Sequence, residues 1–188
     1  MKIGITGTIG SGKTTVCDYL RSLGFYVFDC DKCNKELLQK GNKGYLGVLK
    51  LFPEVFDGQE LNKQKLADII FNDKNKKTSL EALLHPLIIE ELQNESTKVD
   101  PFFAEVPLLF EANLEYLFDH TLLIVCDEDV AIKRLQERNI DYSEAKRRIN
   151  NQMDVSNKMK RASEIIYNNS TLSSLENEVD KWLNKYVR

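Results

Sequence analysis

The chain has no apolar stretch approaching the roughly 18–20 residues needed to span a bilayer, so no membrane partner is expected. It has no long basic run at either end, and 26 Lys and Arg against 29 Asp and Glu give a formal net charge of −3. Composition therefore gives no support to a nucleic-acid partner. Cysteine is sparse: Cys17, Cys30, Cys33 and Cys126. Cys30 and Cys33 form a C-x-x-C, but no second pair stands at a spacing that would complete a tetrahedral zinc site. A redox role for that pair stays open beside the alternative of free thiols in a reducing compartment. Internal repeats and low-complexity segments are missing. The guanine-reading N-K-x-D is absent as well, and Asp57-Gly58-Gln59-Glu60 does not supply the D-x-x-G of a GTPase. The opening Met1-Lys2-Ile3-Gly4 runs straight into an apolar segment and leaves no room for a signal peptide, so a cytoplasmic location is expected.

What is present is a chain of 188 residues, 42% apolar, enough for one good core with small appended subdomains. Its most informative stretch is Gly7, Thr8, Ile9, Gly10, Ser11, Gly12, Lys13 and Thr14, the pattern G-x-x-x-x-G-K-[ST], followed by Thr15. Glycines open backbone angles closed to other residues, so successive N–H groups can face one concavity at the positive end of the following helix. Lys13 is a compact cation able to reach the terminal phosphates of a nucleotide, and the Thr14 hydroxyl is a hard ligand suited to Mg²⁺. The context agrees: Lys2–Thr6 reads as a strand and Thr14–Leu23 as a helix.

Further strands are expected at Phe25–Asp29, Phe102–Pro107, Thr121–Asp127 and Ile165–Asn168, separated by helical patterns. The alternation predicts an α/β fold, a parallel sheet covered by helices on both faces. Residues 32–96 are too long for one crossover. Their helical pattern, over Lys32–Gln39, Tyr45–Leu51, Asn62–Phe71 and Lys76–Ser96, predicts a helical insertion beyond the carboxyl ends of the strands, where such sheets hold ligands. Pro86 inside the last helix is expected to kink it or to start a new one. Residues 130–161, highly charged and with few apolar anchors, read as a mobile cover. The core is then 1–31, 97–129 and 162–188, closed by a packing helix over Leu172–Val187 with Trp182 inside.

Asp29 and Asp31 end the second strand, on the side of the phosphate loop. One carboxylate could accept the proton of an attacking hydroxyl while the other orients the metal's water, or both could be a solvated strand end and helix cap. Arg134 and Arg138, four apart, share a helix face and either neutralise a phosphoryl group or lie on the surface. His85, beside Pro86, has no partner in the pattern, and His120 takes no role.

Together these residues resemble the dephospho-coenzyme A kinase family of the P-loop kinase superfamily. The resemblance rests on Gly4 to Val16, Asp29-Cys30-Asp31, Leu83-Leu84-His85-Pro86-Leu87-Ile88, Val106-Pro107-Leu108-Leu109-Phe110-Glu111, Arg134 to Arg138, Gln152, and Arg161-Ala162-Ser163-Glu164-Ile165-Ile166-Tyr167-Asn168. It implies a five-stranded parallel core, a helical acceptor domain and a lid. The implied activity is transfer from ATP, with Mg²⁺, to the ribose 3′-hydroxyl of dephospho-CoA. Asp31 would be the base, Lys13 and Arg134 would stabilise the phosphoryl group with Arg138 nearby, and Thr14 would ligate the metal. Asp29, His85, Pro86, Leu108, Leu109 and Glu111 would shape the acceptor site, and Asn168 would lie near the ATP base. A monomer or weak oligomer is expected. Thr8, Lys35, Ser163 and Ser170 depart from the family pattern, which has a glycine, an arginine, an aspartate and a glycine there. A kinase of another small metabolite and a nucleotide-binding regulatory module are the rival readings.

Overall fold

The structure is a computed structural model that describes residues 1–187. The chain divides into two compact units, Met1–Phe28 with Val99–Arg188, and Asp29–Lys98.

The first unit is built on a five-stranded parallel sheet. β1 (Lys2–Gly7) runs at its centre, β5 (Phe102–Glu105) and β6 (His120–Val125) flank it, and β2 (Val27–Asp29) and β7 (Glu164–Tyr167) form the edges. β1 pairs in parallel with both neighbours, Ile3 opposite Phe103 on one side and Ile5 opposite Leu122 on the other. A strand covered on both faces must be apolar at every position, and from Ile3 to Gly7 every residue of β1 is buried.

One face of the sheet is covered by α1 (Lys13–Ser22) and α9 (Leu172–Tyr186). Val16, Cys17 and Leu20 of α1 and Leu175, Val179, Trp182 and Leu183 of α9 share a core with Ile3, Ile5 and Phe103. Trp182 meets the Phe103 ring edge-on at a centroid distance of 6.2 Å, as its expected core position requires. After β6 come α6 (Glu128–Gln136), α7 (Tyr142–Asn150) and α8 (Val155–Arg161). This segment has more apolar anchorage than its charge suggests: Ile132, Leu135 and Ala145 are buried together, and Ile9, Ile140 and Ile149 pack on them. Its surface charges are largely spent on one another, with Arg147 and Arg148 both paired to Glu144 and Lys146 to Glu128.

Ser163 ties β6 to β7. Its N–H donates to Thr121 Oγ1 at 2.9 Å, and its hydroxyl accepts from the Thr121 N–H at 3.1 Å.

The second unit holds α2 (Cys30–Leu37), α3 (Lys43–Leu51), a short hairpin of β3 (Phe56–Asp57) and β4 (Glu60–Leu61), α4 (Lys63–Asn72) and α5 (Lys74–Ser96). Asp57-Gly58 opens that hairpin's turn, with Gly58 at φ 66°. The core joins Val48, Phe52, Val55, Leu66, Leu80 and Leu84. Pro86 does not break the helix: α5 is continuous for 23 residues. The second strand and its helix differ from expectation. β2 begins at Val27 rather than Phe25, and α2 starts at Cys30, because the Asp29 side chain accepts the Lys32 N–H at 2.9 Å and caps it there.

Candidate active site

The phosphate loop leaves β1 at Gly7 and enters α1 at Lys13. Two of its glycines are required by geometry. Gly10 has φ +76° and a Cβ there would come within 3.0–3.2 Å of Ala131 on α6, so the loop lies against that helix's backbone. Gly12 has φ +92°, and a Cβ would come within 2.4 Å of Asn168 Nδ2. Thr8 Oγ1 and Ser11 Oγ are buried with no protein partner, which suits a loop built to meet a polar ligand.

Lys13 Nζ contacts Glu105 Oε1 at 2.6 Å, and the Thr14 hydroxyl donates to the same oxygen at 2.9 Å. Arg21 reaches the other carboxylate oxygen at 3.5 Å. Glu105 ends β5 and is 5% exposed. Burial pushes its pKa up, but the Lys13 hydrogen bond and charge, the Thr14 hydroxyl and the Arg21 charge outweigh it and hold the carboxyl below its ordinary value. A carboxylate beside the Thr14 hydroxyl completes an all-oxygen setting that fits Mg²⁺, whose few protein ligands are supplemented by phosphate and water. The sequence reading missed Glu105. Its signal was available: a carboxylate closing an apolar strand, Phe102-Phe103-Ala104-Glu105, at the end where the sheet meets its ligands.

Arg134, on α6, donates to the Gly10 carbonyl at 3.2 Å, to the Ser11 carbonyl at 3.4 Å and to Asn168 Oδ1 at 3.3 Å. Asn168 is 6% exposed and donates to the Ser11 carbonyl at 2.8 Å. Both ends of its amide are therefore engaged by the loop and by Arg134. Helix α6 ends at Gln136, so Arg138 stands on the turn beyond it rather than on the same helix face. The two arginines still line one cavity of 270 Å³, with Gly10, Gly12, Thr15 and Asn168.

Of the residues expected around the acceptor, Leu108 is 49% exposed and available to a ligand, whereas Leu109 is fully buried. Leu109 is corrected to a core residue that supports the stretch from behind. Glu111 accepts the Met153 N–H at 3.3 Å and stands 2.6 Å from Lys158 Nζ, a lysine with no exposed surface. Its carboxylate is thus held by the chain around α8. In the second unit Asp29 is engaged as the α2 cap, Asp31 lies exposed in the first turn of α2, and His85 and Pro86 lie on α5, half-buried and exposed.

The C-x-x-C pair lies at the start of α2. Cys30 and Cys33 are both buried and reduced, and burial, with the nearby Glu91, Glu36 and Asp29 charges, pushes Cys33 up to about 11. Among the described residues no group of three or more His, Cys, Asp or Glu is arranged to hold a metal by itself, and no helix is long and apolar enough to cross a membrane.

Comparison with known proteins agrees with this arrangement. The dephospho-CoA kinase family model matches residues 1–174. Dephospho-CoA kinase of Oceanobacillus iheyensis is 36% identical over 98% of this chain and 96% of its own length. Among solved structures, TT1252 from Thermus thermophilus has TM-score 0.88 at 32% identity over 100% of this chain and 98% of that one. Dephospho-CoA kinase from Campylobacter jejuni has TM-score 0.73 at 28% identity over 98% and 97%. Shikimate kinase from Bacteroides thetaiotaomicron, at 17% identity and TM-score 0.59 over 98% and 97%, shares the fold. A phosphate loop backed by a buried carboxylate and an arginine, on a chain matched nearly end to end, leaves one assignment: the chain belongs to the dephospho-CoA kinase family.

Proposed function

We propose that the protein transfers the γ-phosphoryl group of ATP to the ribose 3′-hydroxyl of dephospho-CoA, giving CoA and ADP, in the cytoplasm. The observation that carries this reading is the Lys13–Glu105–Thr14 cluster at the mouth of the phosphate loop in a chain of this family. Lys13 leaves Glu105 for the β- and γ-phosphates, exchanging one anion for another. Thr14 and Glu105, already joined at 2.9 Å, would hold Mg²⁺. The chemistry that Mg²⁺ would supply there is neutralisation of the charge that develops on the transferring phosphoryl group. Arg134, already donating to the loop, adds a fixed positive charge beside the transferring group, and Arg138 flanks the nucleotide. Residues 130–161 act as the lid over the nucleotide, and residues 32–96 take the acceptor. Asp31 accepts the 3′-hydroxyl proton late in transfer, while Asp29 fixes the helix that carries it. His85, Pro86 and the exposed Leu108 contribute to the acceptor surface, with Leu109 and Glu111 shaping it from behind. Positioning and charge stabilisation supply most of the acceleration.

The test is ADP formation from Mg-ATP with dephospho-CoA, with AMP, and with no acceptor. Release with dephospho-CoA alone, and CoA as product, is the expected result. Release with AMP instead would overturn the acceptor, and little release in all three would overturn the activity.

A further inference from the structure

Gln152 lies between α7 and α8, and its side-chain oxygen accepts the Ile9 N–H at 2.9 Å. The same peptide group is held at its other end, because the Thr8 carbonyl accepts the Ser11 N–H at 3.1 Å. The Thr8–Ile9 peptide plane is therefore fixed from both sides. That plane opens the turn that carries Gly10 at φ +76° and leads into the amides from Gly10 to Thr14. A peptide held at one end only can rotate about its flanking bonds, and the amides that follow it turn with it. Gln152 is itself anchored. The next residue, Met153, donates its N–H to Glu111, and Glu111 is paired at 2.6 Å with the wholly buried Lys158. Burial makes that ion pair costly to break, so it holds the 152–153 segment in place.

The geometry points to Gln152 as a positioning residue of the phosphate loop: it sets the Thr8–Ile9 peptide from 143 residues away and so preorganises the amides that receive the nucleotide phosphates. The inference rests on the loop's being the ATP site, and it is independent of which acceptor the enzyme uses.

Two variants separate the acceptor atom from bulk. Gln152→Met keeps the length and removes the oxygen, whereas Gln152→Glu keeps an oxygen at the same reach. Mg-ATP and dephospho-CoA binding are titrated separately by calorimetry, alongside melting curves. Losing one hydrogen bond that preorganises the site is expected to weaken Mg-ATP binding about tenfold in Gln152→Met. Dephospho-CoA affinity stays at the wild-type value, KM for ATP rises more than kcat falls, and Gln152→Glu recovers most of the loss. Mg-ATP binding by Gln152→Met within twofold of wild type would overturn the inference. So would equal losses for both substrates, or a Gln152→Glu that melts like wild type and binds no better than Gln152→Met. Failure of the wild-type protein to bind Mg-ATP would instead overturn the reading of the loop itself.

Discussion

Lys13 and Glu105 form a largely buried ion pair at 2.6 Å, with side chains 15% and 7% exposed, and the Thr14 hydroxyl donates to the same carboxylate oxygen. The two residues proposed to meet nucleotide phosphates and Mg²⁺ are thus both held by one anion. The pair keeps a phosphate-seeking cation in place inside a sheet end that would otherwise carry uncompensated charge. In the proposed reaction nucleotide phosphates replace Glu105 as the partner of Lys13, and Arg21 stays beside the carboxylate.

Glu105→Gln keeps the shape and removes the charge. Residues that orient a metal's ligands typically cost about 10–100-fold in metal affinity or activity when changed. The variant is expected to need more Mg²⁺ for half-maximal rate and to lose kcat/KM in that range. Titration of the rate with Mg²⁺ at saturating ATP checks this, and an unchanged Mg²⁺ midpoint would remove Glu105 from the metal's setting.

The same carboxylate gives a pH dependence with a definite sign. Its folded pKa lies below the ordinary value, so its stabilisation is complete above the ordinary carboxylate range and is lost as pH falls through the folded value. Wild type should therefore lose more stability between pH 7 and about pH 4 than Glu105→Gln does. Urea midpoints at the two pH values measure the difference, and parallel losses would contradict it.

Asp31→Asn is expected to lower kcat by orders of magnitude while leaving ATP affinity nearly intact, because its proposed role is on the acceptor's proton and not on the nucleotide. Single-turnover rates with a separate ATP titration distinguish the two. A kcat near wild type would show that Asp31 is not the base.

Arg134→Lys should fall by about 10²-fold in kcat, since a lysine cannot keep the Gly10 and Ser11 carbonyls and Asn168 together while facing a phosphoryl group. Arg138→Lys, at an exposed position beyond the end of α6, should lose much less. Comparison of the two variants at saturating substrates is the measurement, and equal losses would deny the distinction.

The thiols should be quiet. Burial raises Cys17, Cys33 and Cys126 above the ordinary thiol range, Cys33 to about 11. Folded protein at pH 7 is expected to react slowly with an aromatic disulfide reagent and quickly only after denaturation. Fast labelling of Cys33 in the folded state would overturn this and reopen the redox reading of the C-x-x-C.

The sequence by itself determined the phosphate loop, the alternation of strands and helices, and the insertion between Asp29 and Phe102. These are local: the glycines, the β-branched runs and the caps act through neighbours a few residues away, and so leave a readable spacing. The family resemblance was legible for the same reason, as short motifs in a fixed order. Tertiary structure alone decided who meets the loop. Glu105 reaches Lys13 across 92 residues, Arg134 reaches Gly10 across 124, and Gln152 reaches Ile9 across 143. It also assigned Leu108 to the surface and Leu109 to the core, and gave Glu111 a buried lysine as partner. Burial and partnership across such separations depend on how the sheet orders its strands and how the helices pack on it. Neither leaves a period in the chain.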